Sequence, residues 1–222
     1  MRKIHILFVL CTLWLVTSCS NKDNIIKDWT LVNAIAGMGG TYPPAVAFHC
    51  SQPSNVLFVG NHEGIFHSPD GGKTWIKSTG LPPGVFVYRI TEGNGNVYAA
   101  TLNGLFHLAS GGTSTIGNSP AHWQRITNDD AVTSVAVGGP NLFYVEGDAY
   151  RQPIGNPSGR TLLPIPHAEI VVAETNRVFV IGENLSGQYE AYASTDYGAN
   201  WNKLNTSGLP PAAEMRLNAA HV

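Results

Sequence analysis

Ser68-Pro69-Asp70-Gly71-Gly72-Lys73-Thr74-Trp75 and Ser194-Thr195-Asp196-Tyr197-Gly198-Ala199-Asn200-Trp201 are two copies of one pattern, Ser-x-Asp-x-Gly-x-x-Trp. Residue usage alone gives a match to it roughly once in 10^5 to 10^6 positions. The two copies also share their surroundings. Val56-Leu57-Phe58-Val59-Gly60 and Gly64-Ile65-Phe66-His67 precede the first, and Val178-Phe179-Val180-Ile181-Gly182 precedes the second. Between them lie looser copies of the same frame. Val97-Tyr98-Ala99-Ala100 runs into Gly104-Leu105-Phe106-His107 and His122-Trp123, and Leu142-Phe143-Tyr144-Val145 stands alone.

Each copy reads as four short strands, a to d. Strand a is Ala45–Ser51, Val87–Glu92, Val132–Val137 and Glu169–Ala173, with starts 42, 45 and 37 residues apart. Trp75, Trp123 and Trp201 open strand d, and Thr161–Pro166 takes that place in the third copy. Short apolar or alternating runs punctuated by Gly, Asn and Pro are strand signals, not helix signals. A four-stranded unit repeating at about 40–45 residues is the period of a β-propeller blade. A β-sandwich explains the strand count but not the recurrence of whole motifs. The expected fold is therefore all-β, a β-propeller with about four blades present.

The paired motif resembles the Asp-box, or BNR, repeat of sialidase-like propellers, which is shared by xyloglucanase-type glycosidases, sortilin-type receptors and assembly factors of the Ycf48 type. The resemblance covers the mature chain in spacing, with complete boxes only in blades one and four. It implies that Ser68, Asp70, Gly72 and Trp75, and likewise Ser194, Asp196, Gly198 and Trp201, are structural and peripheral. The residues say the same. A short carboxylate in a hairpin accepts backbone N–H bonds, Gly supplies a positive φ, and Trp wedges into the apolar layer. Replacing Asp70 is expected to cost stability, by about 1–3 kcal/mol if the N–H groups it satisfies are buried.

Composition narrows the class. Of 222 residues, 43% are hydrophobic and 13% charged, with 24 Gly and 14 Pro. This core-forming content excludes wholesale disorder. A net charge of −2 provides no field for a phosphate backbone, so no nucleic-acid partner is expected.

The N-terminus reads as an export address. Met1-Arg2-Lys3 is basic, Ile4–Val16 is apolar, and Leu15-Val16-Thr17-Ser18-Cys19 resembles a bacterial lipobox. Residues 1–19 are then a lipoprotein signal with lipidation at Cys19, 20–27 a tether, and 28–222 the partial propeller. The implied place is the cell envelope, as an outer-membrane lipoprotein held by its lipid. Lys22-Asp23 resembles the short surface-export signals of some envelopes. Cys11 leaves with the signal, so Cys50 has no partner and reads as a small buried hydrophobe. Asp28-Trp29-Thr30-Leu31-Val32 matches strand d, and Met215–Ala220 begins another strand a. Together they lead to the expectation of a fragment of a larger propeller.

Catalytic residues are unknown at this level. Val87-Tyr88-Arg89-Ile90-Thr91 resembles the arginine motif of sialidases, which makes Arg89 the one candidate, although Thr91 stands where Pro is usual. Glu92 and Glu174 are the acids read at the ends of strand a. The eight His residues form no metal-ligand spacing, and no phosphate loop or dinucleotide fingerprint occurs, so no metal or cofactor is expected. Two functions compete. One is a non-catalytic module binding a glycan or a protein. The other is a glycosidase of sialidase-like or xyloglucanase-like kind with catalytic residues partly outside this chain.

Overall fold

The computed structural model describes residues 47–50, 56–109, 117–127, 130–165 and 167–208. The lipobox, the tether, Trp29 and the stretch after Gly208 lie outside them, as does the side chain of Cys50.

Among the described residues, sixteen strands fall into four sheets of four, each antiparallel. Blade one holds β1 (Ala47–Cys50), β2 (Leu57–Asn61), β3 (Gly64–Ser68) and β4 (Ile76–Lys77). Blade two holds β5 (Val87–Gly93), β6 (Asn96–Thr101), β7 (Gly104–Leu108) and β8 (Trp123–Arg125). Blade three holds β9 (Ser134–Gly138), β10 (Asn141–Glu146), β11 (Asp148–Pro153) and β12 (Thr161–Leu162). Blade four holds β13 (Ala168–Glu174), β14 (Arg177–Glu183), β15 (Tyr189–Ser194) and β16 (Asn202–Lys203). In every blade the strands pair in chain order, a to b to c to d. This is the architecture of a partial β-propeller.

The core lies between the blades. Phe58, Ile65, Val87, Ile90, Val97, Phe106 and Trp123 join blades one and two. Tyr98, Ala100 and Leu105 meet Val135, Leu142 and Tyr144 between blades two and three. Phe143, Val145, Val171, Val178 and Val180 join blades three and four. A single blade has two apolar faces and cannot cover either, so stacking supplies the hydrophobic stabilisation. Trp123 is buried and meets Phe58 edge-on with ring centroids 6.0 Å apart.

Polar groups fix the spacing of the blades. Ser134 of β9 exchanges two hydrogen bonds with the backbone of Val171 in β13, donating at 3.3 Å and accepting at 3.1 Å. Thr79, beyond β4, bonds through its backbone to Ala121 at 2.8 Å and Trp123 at 2.9 Å in blade two. Each b–c turn begins with a polar residue: Asn61, Thr101, Glu146 or Glu183. Asn61 Oδ1 accepts the Glu63 N–H at 2.8 Å, and Thr101 Oγ1 accepts that of Asn103 at 3.1 Å, which closes the b–c turns of blades one and two.

Candidate functional site

The two Ser-x-Asp-x-Gly-x-x-Trp segments are the c–d hairpins of blades one and four, at equivalent places. In the first, Ser68 Oγ donates to Asp70 Oδ1 at 2.8 Å and accepts the Gly72 N–H at 2.7 Å. In the second, Ser194 Oγ donates to Asp196 Oδ1 at 2.7 Å and accepts the Gly198 N–H at 2.8 Å. Asp70 then accepts the backbone and side chain of Thr74, at 2.9 and 2.7 Å. Asp196 accepts the N–H groups of Ala199 and Asn200, at 3.1 and 2.9 Å. These bonds, led by those from Thr74 and Asn200, pull both carboxyls down to about 2.

Burial within the turn corrects one expectation. The serines are the buried members, whereas Asp70 and the Thr74 N–H that it accepts are exposed. Gly72 and Gly198 do take positive φ, 93° and 78°. Trp75 packs on Val59 and Phe66, and Trp201 packs on the core between blades three and four.

The blade-four hairpin touches the a–b turns. Asn141 Nδ2 donates to the Tyr197 carbonyl at 3.1 Å, and Asn176 Nδ2 to that of Thr195 at 2.9 Å. The c–d hairpins and a–b turns therefore share one face of the propeller, and the d–a connections and b–c turns occupy the other.

On that second face two inner strands carry the same irregularity. The pairing of β5 with β6 shifts between Val87 and Arg89, and that of β13 with β14 between Ala168 and Ile170. The extra residues are Tyr88 and Glu169. A bulge re-aims a side chain, and bulges concentrate beside functional sites. Tyr88 is exposed and lies 4.9 Å, centroid to centroid, from Phe86. Arg89 follows it, half-buried, and makes no hydrogen bond or ion pair among the described residues. Burial lowers its pKa.

Glu169 lines a cleft of about 360 Å³ between blades three and four, with Gly147, His167, Ala168, Glu183, Asn184 and Leu185. Burial raises the pKa of Glu169, and the charge of Glu183 acts in the same direction. Ion pairs and hydrogen bonds hold the segments beside this pair. On the blade-three side, Arg160 pairs with Glu146 and stacks on Tyr150, 3.5 Å from the ring centroid. On the blade-four side, Asn184 Oδ1 accepts the N–H groups of Ser186 and Gln188 at 2.9 and 3.0 Å. Its Nδ2 donates to Glu190 at 3.0 Å, and Lys203 pairs with Glu190 at 2.7 Å. This built loop holds Leu185 93% exposed at the rim.

The structure thus separates the sequence candidates. Arg89 sits on blade two and is not among the residues that line the acidic cleft. Glu92 and Glu174 lie at the a–b end of their strands, on the opposite face. The acids that the cleft does bring together, Glu169 and Glu183, are the ones sequence reading missed. The polar slot that ends strand b, from Asn61 to Glu183, was the available signal.

No protein-family model matches the chain, and no curated protein matches it. Solved structures do. A GH74 xyloglucanase from Xanthomonas campestris superimposes with a TM-score of 0.55 at 14% identity, over 72% of this chain and 29% of its own. A TolB-like protein from Agrobacterium tumefaciens gives 0.53 at 13% identity, over 73% of this chain and 62% of its own. The extracellular domain of a one-component system protein from B. thetaiotaomicron gives 0.50 at 15%, over 78% of this chain and 23% of its own. The chain spans less than two thirds of each. At such identities the likeness is one of fold, and the fold is a propeller.

Proposed function

We propose that the chain is an exported, lipid-anchored Asp-box propeller of the sialidase-like superfamily that binds a ligand at the cell envelope without turning it over. The observation that carries the binding site is the cleft between blades three and four, which is lined by Glu169 at a register shift, by Glu183 and by the exposed Leu185. Pockets with a few convergent polar groups and a perturbed acid are where small ligands bind. A glycan, or a protein segment that presents a similar group, is the ligand class. The two Ser-Asp-Gly-Trp hairpins serve as scaffold, since their carboxylates are engaged by their own turns on the opposite face. Binding of a glycan library to the full chain, compared with Leu185→Asp and Glu183→Gln, tests the reading. Retained binding in both variants rules the cleft out.

One observation favours a glycosidase instead. Glu169 and Glu183 line one cleft, and a pair of carboxyls at one site is what glycoside hydrolysis uses. Turnover of a fluorogenic sialoside or a plant β-glucan that is lost in Glu169→Gln establishes this alternative. Turnover lost in Arg89→Ala but kept in Glu169→Gln moves the chemistry to blade two.

A further inference from the structure

We infer that the ligand of this cleft presents a primary ammonium group, as an amino sugar does; the inference rests on the cleft being the binding site. Glu169 and Glu183 both line the cleft, and among the described residues no Lys or Arg does. The other acids nearby are already neutralised. Glu146, next to the cleft residue Gly147, is paired with Arg160, and Glu190, under the loop, is paired with Lys203. Each of those cations is held by its own carboxylate, so neither serves Glu169. Among the described residues the Glu169–Glu183 pair has no cationic partner. Partial burial and like charge both work against ionising Glu169, and a bound cation relieves both.

The shape of the site decides which cation. The described residues contain no group of three His, Cys, Asp or Glu placed to hold a metal ion, which leaves two carboxylates for a ligand that needs only two. An ammonium group carries one charge and three donors, enough to bridge both carboxylates. A sugar hydroxyl brings a donor without the charge. A sialic acid or a uronic acid brings a third negative charge and is disfavoured. At the rim, Leu185 offers an apolar surface and His167 a polar ring, which suits a compact ring with one apolar face. An extended lysine side chain uses the acids but not that rim.

A matched pair of ligands tests this on the full chain. Calorimetric titration with a glucosamine trisaccharide is compared with its N-acetylated counterpart, which differs by converting each ammonium to an amide. The expected result is binding of the free amine about tenfold or more tighter than the acetylated form, near 1.4 kcal/mol per tenfold. Glu169→Gln and Glu183→Gln each remove that preference, and Glu174→Gln on the opposite face leaves it intact. Circular dichroism confirms that the isosteric variants are folded. Equal affinity for both trisaccharides, lost in Leu185→Asp, overturns the ammonium inference and keeps the cleft as a glycan site. Tighter binding of a lysine-rich peptide than of either sugar overturns the amino-sugar assignment. No binding of these ligands or of other glycans at the cleft overturns both the inference and the reading beneath it.

Discussion

Arg151 of β11 in blade three donates from Nη1 to the carbonyl oxygen of Gly198 in blade four, at 3.0 Å. The same carbonyl accepts the indole N–H of Trp201 at 3.2 Å. A turn formed within one blade is thereby fastened to its neighbour. A β-carbon added at Gly198 would lie 2.5 Å from Cε1 of Phe143, so the approach of the two blades leaves room only for glycine.

The two copies of the motif should therefore respond unequally to the same change. Gly198→Ala combines a positive φ with a steric overlap and should cost about 3 kcal/mol. Gly72→Ala meets only ordinary contacts, at 3.5 Å from Leu57 and 3.8 Å from Trp75, and should cost about 1–2 kcal/mol for its backbone alone. Urea unfolding of both variants measures the difference. Equal losses would contradict the packing described for blade four.

Arg151→Ala should destabilise by about 1–2 kcal/mol, since it removes a charged donor from a half-buried carbonyl. The loss should shrink in a Trp201→Phe background if the two donors act on that carbonyl together. A double-mutant cycle measures the coupling.

Ser194→Ala should cost about 1–3 kcal/mol, because the buried Gly198 N–H loses its acceptor, and Ser68→Ala should cost less, because the Gly72 N–H is only part-buried. The Asp replacements act through pH. Asp70 and Asp196 are held at about 2, below their ordinary range, so their stabilisation is present above pH 4 and is lost as pH falls toward 2. Glu190, also held at about 2 chiefly by Lys203, contributes with the same sign. The Asp70→Asn, Asp196→Asn double variant should flatten the acid limb of the stability curve. An unchanged limb counts against the hydrogen bonds of these turns.

His67 supplies a second pH dependence. Its ring is buried, with Nε2 3.4 Å from the Gly117 carbonyl and Nδ1 without a partner among the described residues. Burial lowers its pKa. The unfolded chain then binds the extra proton, so stability is full above pH 6.5 and declines as pH falls below it. His67→Phe should remove that decline, as read from urea midpoints between pH 7.5 and 5.

Export rests on the sequence of the first nineteen residues. Cells fed a radiolabelled fatty acid should label the wild-type chain and not Cys19→Ala. Label retained in the variant sinks the lipid assignment.

The alternation of apolar and polar residues, the turn formers and the repeated Trp determine strands, their order in each sheet and the recurrence of the blade, because these are set by neighbours close in sequence. For that reason strand a as the sequence patterns it lies within a few residues of the observed strand in each described blade, and Ser68–Trp75 and Ser194–Trp201 are legible as turns. The site was not legible. The short motif at Val87–Thr91 points to Arg89, and the structure leaves it apart from Glu169 and Glu183, which lie fourteen residues apart on one hairpin. Their meeting in a cleft depends on a bulge at the start of β13 and on the wall that blade three presents. Which Asp-box member is buried was equally a matter of packing, since the hairpin alone does not say which of its faces meets another blade. Local sequence periodicity determined the blades of this protein; the register shift and the blade-to-blade contacts, which no local pattern encodes, decided where its acids converge.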